Sequence, residues 1–221
     1  MGFMLDIDVC IANKHLLTHP FYLAWTRGTL PREALLDYAR QYYAFESNLP
    51  RFLTSLHARS EDAATRTTLL DNAWDEAHGE ANHPELWLRF AEALGVNRED
   101  VTGATPSATT SALVDTYWDA ARNAPVAAGV AALYAYESQL PAVSDAKIAG
   151  LQAHYGITSG SGLTFFEVHR AIDVHHAAAE RRILERAPAT EQAAVVSSTE
   201  RALESWWGFL SGFGVDDAAC A

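Results

Sequence analysis

The sequence predicts an all-α protein, folded as a single compact bundle of about seven or eight helices over residues 1–221. Three observations carry this. Apolar residues recur at helical spacing in long runs, as at Leu35, Leu36, Ala39, Tyr42, Tyr43 and Phe45. No run sustains the period-2 alternation of a half-buried strand. A chain of 221 residues suits one good-sized core, and we find no internal repeat and no linker long enough to divide domains. Amphipathic helices with short connections bury their apolar stripes against one another, which makes a bundle.

The elements follow in order. Asp6 to Leu17 reads as the first helix. His19-Pro20-Phe21-Tyr22 breaks it, with Pro20 suited to open a new turn. Gly28 and Pro31 punctuate again, and a strongly helical run starts at Pro31. Pro50 is expected to kink that run rather than end it, because Phe52, Leu53 and Leu56 continue the stripe. Glu61 to about Asn82 is the next helix, followed by Pro84 to Leu94 with Gly95 as its C-cap. The stretch from Thr102 to Thr110, rich in Thr, Ser, Ala, Gly and Pro, reads as a loop before a helix from Ser111 to Arg122. Pro125 opens a long helix to about Tyr155, interrupted at Pro141 and stopped by Gly156. After a Ser/Gly loop, Leu163 to Ala187 and Thr190 to Phe209 form the last helices, the final one carrying Trp206 and Trp207.

Bulk composition narrows the function. Hydrophobic residues at 49% and charged ones at 20% are ordinary for a globular chain. A net charge of -12 argues against a nucleic-acid partner, since phosphate binding wants a basic face. No run of eighteen or more apolar residues offers a membrane span. Two cysteines, Cys10 and Cys220, and no signal peptide point to a reduced, cytoplasmic protein. Only Lys14 and Lys147 are lysines among the 16 basic residues, which draws attention to each.

The helix from Leu163 carries an unusual stripe. At about 100° per residue, His169, Asp173 and His176 fall on one face. Two imidazoles and a carboxylate aimed at a core call for a metal ion to take their lone pairs. Glu76 and His83, spaced i, i+7, are expected to share a face of their own, and Glu137 lies in the long helix after Pro125. Together these give three carboxylates and three imidazoles from three helices. Oxygen and imidazole nitrogen donors suit iron or manganese, and six ligands leave two octahedral ions with open positions for dioxygen. Three buried carboxylates would repel one another, and two divalent cations answer that charge. His57, His78, His154, His175 and Glu80 read instead as ordinary surface or core residues. Tyr136 abuts Glu137 and Tyr43 lies on a neighbouring helix, so either is a candidate electron relay.

The pattern Glu76, His83, Glu137, His169, Asp173, His176 resembles that of the heme-oxygenase-like di-metal oxidases. The resemblance covers most of the chain and implies a TenA- or PqqC-like helical fold. Within that family the sequence is most similar to the para-aminobenzoate-making group typified by the Chlamydia protein associating with death domains. Two further residues carry this likeness. Tyr22, after His19-Pro20-Phe21, stands where the group's own tyrosine supplies the product ring. Lys147, ten residues after Glu137, matches the lysine that gives up its side-chain amine. The resemblance therefore implies a self-sacrificing enzyme of folate biosynthesis. It would use two metal ions (iron–manganese or di-iron), dioxygen and an external reductant, and form a homodimer.

Geometry sets one condition on this. Ten residues of straight helix span about 15 Å and turn Lys147 away from the face of Glu137, so the two meet only if the helix breaks at Pro141. Other members of the family oxidise external substrates, cleaving fatty acids to alkenes or oxidising amine nitrogens, and that is the rival function. A non-enzymatic interaction module is the third reading. A thiaminase-like role lacks its nucleophilic cysteine, since both cysteines lie near the termini.

Overall fold

The computed structural model describes residues 2–215, so Cys220 lies outside the described residues. These residues form twelve α-helices and one 3-10 turn, with no strand among them. The all-α class is as expected; the helix count is higher because proline and glycine positions cut the long runs into shorter pieces.

Helix α1 spans Phe3–Asn13, and a 3-10 turn at Leu16–Thr18 leads into α2 (Pro20–Arg27), with Pro20 at its first position. The run after Pro31 is two helices, α3 (Arg32–Glu46) and α4 (Leu49–Arg59). Pro50 thus ends the helix rather than kinking it. It has no N–H to give the Glu46 carbonyl and its ring would clash there. Then come α5 (Ala63–Ala77), α6 (His83–Ala93) and the short α7 (Arg98–Thr102). Helix α5 stops about five residues before the expected Asn82. His78 is extended, Gly79 takes φ +81°, and Asn82 accepts from the Glu85 amide to start α6.

Helix α8 spans Ala108–Arg122, with Ser107 as its N-cap. Helices α9 (Val126–Glu137) and α10 (Leu140–His154) are the two parts of the run from Pro125, broken at Ser138–Gln139 with Pro141 in the first turn of α10. The chain closes with α11 (Ser161–Leu184) and α12 (Gln192–Ser211).

Helix α9 is the axis of the bundle. Every residue from Ala127 to Glu137 is buried, and α4, α8, α11 and α12 pack around it. Its composition allows this: small residues on all sides let neighbours approach closely. Gly129 is the tightest point, where a Cβ would meet Leu56 of α4 and lie 2.9 Å from the Ala120 carbonyl. A large aromatic core fills the rest, with Trp25, Trp87, Trp206, Tyr38, Tyr42, Tyr117 and Tyr136 fully buried. Trp206 stacks on Tyr136 at 4.1 Å, and Trp207 donates its indole N–H to the Lys14 carbonyl. Among the described residues no helix is long and apolar enough to cross a membrane.

Candidate metal centre

Two groups of buried donors lie in the core. In the first, ligand atoms of Glu46, Glu76, His83 and His169 all lie within 4.8 Å of one another; in the second, those of Glu137, Asp173 and His176 do. All seven residues are buried. The six residues expected from the sequence are thus brought together, and Glu46 joins them.

Each donor is placed by its local structure. Helix α11 is long enough to carry His169, Asp173 and His176 on one buried face, with Glu180 one turn further along. Glu76 and His83 do not share a helix face. Glu76 lies near the end of α5 and His83 is the first residue of α6, so the intervening turn folds the two together. Glu46 and Glu137 are the last residues of α3 and α9.

The imidazoles are oriented from outside. His169 Nδ1–H donates to the Phe165 carbonyl at 2.7 Å, leaving Nε2 free of a proton. His176 Nε2 lies 3.2 Å from Asp75 Oδ2, which leaves Nδ1 toward Asp173 and Glu137, at 3.5 and 3.8 Å from their oxygens. His83 Nδ1 is 2.6 Å from Glu76 Oε2, yet neither atom makes an aligned hydrogen bond.

The polar atoms here are orphaned. Both carboxylate oxygens of Glu46, Glu137 and Glu180 are buried without a hydrogen-bond partner, as are Glu76 Oε2, Asp173 Oδ2 and His176 Nδ1. Unpaired buried polar atoms are costly and rare in a folded protein, and here they cluster. Electrostatics gives the same picture. Burial, with the neighbouring carboxylates, pushes Glu46, Asp173 and Glu180 well above the ordinary carboxylate range. Glu137 is pushed up by burial too, against the pull of His176. For Glu76, burial is more than offset by His83, which holds its carboxylate low. Burial and the nearby His83 hold His169 down to about 3, so its imidazole is neutral. Against the effect of burial, Glu76 in turn raises His83 to about 9, so His83 would give up its proton to a bound ion. Ionised carboxylates and neutral imidazoles are what a divalent ion takes as ligands, and cations would remove the mutual repulsion. The residues present fit a pair of metal ions.

The other expected site residues divide. Tyr22 and Lys147 are buried together: Lys147 Nζ lies 5.5 Å from the centre of the Tyr22 ring. The break after Glu137 redirects α10 and brings Lys147 inward, by the interruption the sequence required. Tyr136 is buried, and its hydroxyl is 2.5 Å from that of Tyr42. Tyr43 is half-buried on another face of α3, within the field of Arg98, Glu85 and the cluster's own Glu46. The face that points inward carries Tyr38, Tyr42 and Glu46, spaced i, i+4, i+8.

Residues 36–207 match the model of the iron-containing redox enzymes, a heme-oxygenase-like family, and this chain belongs to that family. Its relatives include 4-aminobenzoate synthases. The one from Nitrosomonas europaea is 41% identical over 230 residues, covering 99% of this chain and 93% of the relative. The one from Chlamydia muridarum is 38% identical over 220 residues, covering 100% and 93%. A Shewanella denitrificans domain with a heme oxygenase-like fold superposes with a TM-score of 0.80 at 18% identity, covering 96% of this chain and 90% of that domain. That likeness shows the shared fold alone.

Proposed function

We propose that this enzyme makes 4-aminobenzoate from its own side chains, with the ring of Tyr22 and the amine of Lys147 consumed in one turnover. The full-length similarity to 4-aminobenzoate synthases supports the product. The single observation that carries the rest is the seclusion of Lys147 against Tyr22. One of only two lysines in the chain is wholly buried, surrounded by the rings of Tyr22, Tyr38, Tyr42, Trp87 and Phe166 at 5.1–5.9 Å.

The product's chemistry explains the need. A tyrosine side chain has oxygen para to its Cβ; 4-aminobenzoate has nitrogen para to a carboxylate. The conversion must break Cα–Cβ, oxidise Cβ and replace the phenol oxygen with an amine nitrogen. That takes several electrons out of the side chain. Two metal ions held by Glu76, His83, His169, Glu137, Asp173 and His176, as iron–manganese or di-iron, would supply that oxidising power from dioxygen and an external reductant.

The chain's own residues prepare the reactants. Burial lowers the Lys147 amine to about 7, against a smaller opposing pull from Glu46, so much of it is the free base near neutral pH. Nζ donates to the Tyr38 hydroxyl at 2.7 Å, which fixes its direction. The Tyr22 hydroxyl interacts with that of Tyr38, and burial pushes it up, so the phenol stays protonated. Tyr38 and Tyr42 follow one another along α3 with tilted rings, centroids 5.6 Å apart, between the Tyr22–Lys147 pair and Glu46. Tyr42 and Tyr136 share a hydrogen bond, giving a route for an electron with its proton held in place.

The experiment uses the lysine count. A Lys14→Arg chain has Lys147 as its only lysine and is grown with 15N-lysine. It is then incubated with iron, manganese, reductant and air. Released 4-aminobenzoate should carry 15N, and peptide mapping should show loss at Tyr22 and Lys147. Product formation at the wild-type level by Tyr22→Phe refutes the proposal. Consumption of added lauric acid with Tyr22 intact would move the chain to the external-substrate function.

A further inference from the structure

Two octapeptides of the chain are near copies: Tyr43-Ala44-Phe45-Glu46-Ser47-Asn48-Leu49-Pro50 and Tyr134-Ala135-Tyr136-Glu137-Ser138-Gln139-Leu140-Pro141. Tyr, Ala, Glu, Ser, Leu and Pro are identical, and the two differing positions pair Phe with Tyr and Asn with Gln. This is an internal repeat, contrary to the expectation of none. Both copies do the same structural work. Each ends a helix at its glutamate, crosses two residues, and starts the next helix at Leu-Pro. Their third positions, Phe45 and Tyr136, meet edge to face at 5.3 Å, so the two copies lie side by side.

We propose that Glu46 is a metal ligand in the same sense as Glu137, and that it makes the group Glu46, Glu76, His83 and His169 the tighter of two cation sites. The inference rests on the two-ion reading of the centre. Three observations carry it. Both Glu46 oxygens are fully buried and make no well-aligned hydrogen bond, the Tyr42 hydroxyl approaching only off-angle, and both of Glu137 are likewise unpaired. The Glu46 carboxylate shares one shell, within 4.8 Å, with Glu76, His83 and His169. Glu46 also ends α3, where the helix dipole adds negative charge, as Glu137 ends α9. A buried carboxylate at a helix C-terminus is unfavourable twice over unless a cation sits beside it. The first group then offers four donors, two of them imidazole; the second offers three, one of them imidazole. Four donors against three, with two carboxylates in each, favour tighter binding of a divalent ion at the first group.

The test is a titration of metal-free protein with Mn(II) under anaerobic conditions, following free Mn(II) by its EPR signal. The wild-type chain should bind two ions in two affinity classes. Glu46→Gln should weaken the tight class by roughly tenfold or more and leave the weaker one unchanged. Asp173→Asn should do the reverse. Glu46→Asp keeps the charge but shortens the reach, and should weaken the tight class by less; it serves if Glu46→Gln fails to fold. Thermal melting of the metal-free variants separates ligand from scaffold: Glu46→Gln should melt no lower than wild type, because it removes an orphaned buried carboxylate. Two unchanged affinity classes in the Glu46 variants overturn the assignment while the two-ion reading stands. Equal weakening of the same class by the Glu46 and Asp173 substitutions overturns the division into sites. A wild-type chain that takes one ion, lost in Glu46→Gln, retains Glu46 as a ligand and removes the two-ion reading. A chain that binds none overturns both.

Discussion

Replacing Lys147 with methionine should stabilise the metal-free protein, and by an amount that depends on pH in one direction. Methionine has nearly the same length and no charge. The folded chain holds the Lys147 amine at about 7 because of burial, whereas an unfolded lysine titrates at 10.5. Between these values the unfolded state binds more protons, so stability falls as pH drops from about 10.5 to 7. Below that the loss is complete and constant; above about 10.5 it vanishes. At about 1.4 kcal/mol per pH unit the full loss is on the order of 5 kcal/mol, an upper bound. Methionine forgoes the hydrogen bond from Nζ to Tyr38, which offsets about 1 kcal/mol. Lys147→Met should therefore be more stable than wild type by about 2–4 kcal/mol at pH 7, and the gap should close by about pH 10. Urea unfolding of both proteins at pH 7, 8, 9 and 10, followed by circular dichroism, measures it. A variant less stable at pH 7, or a gap that does not change with pH, would show that the amine is not held neutral in the fold.

Other outcomes follow from the same geometry. Chelation of metal from the loaded protein should lower its melting temperature by several degrees, since it leaves Glu46, Glu76, Glu137, Asp173 and Glu180 buried and mutually repelling; an unchanged melting curve would count against occupancy of the cluster. Asp75→Ala removes the acceptor that orients His176 and should weaken metal affinity by roughly 10–100-fold without unfolding the chain, as a competition titration would show. Gly129→Val places a branched side chain against Leu56 and the Ala120 carbonyl and should cost about 1–3 kcal/mol or more, read from the urea midpoint.

The sequence made the fold class and most of the centre legible for a physical reason. Helical periodicity is a local property, and on α11 it alone aligns His169, Asp173 and His176. The same periodicity extends to Glu180, one turn beyond His176, and would have marked that buried carboxylate too. What escaped was settled by chain breaks. Glu76 and His83 meet across a turn, which spacing read as one helix face. Pro50 and Pro141 sit in matching octapeptides, yet one was expected to kink its helix and the other to interrupt it. Treating the two alike would have ended α3 at Glu46 and shown it as the counterpart of Glu137. Tyr38 was missed because its role depends on Lys147, which reaches it from a helix more than a hundred residues away.

The repeat also bears on why Lys147 stands on one side of the centre only. Shifting by the 91 residues that separate Glu46 from Glu137 places Tyr38 opposite Gly129 and Lys147 opposite Leu56. The contact between Lys147 and Tyr38 in one half corresponds to the contact between Leu56 and the bare face of Gly129 in the other. In both halves the helix after the Leu-Pro turn sends a long side chain back onto the helix that carries the first or second glutamate's partner copy. In one half that side chain is an aliphatic plug; in the other it is an amine held by a phenol, beside Tyr22. The scaffold itself therefore needs only an apolar filler at this contact, because it already uses one at the equivalent place. A lysine buried there is less stable than an apolar filler of similar size would be, and stability gives no reason for it. The proposed role of its amine does, and on that proposal Lys147→Met is expected to strengthen the fold while ending product formation.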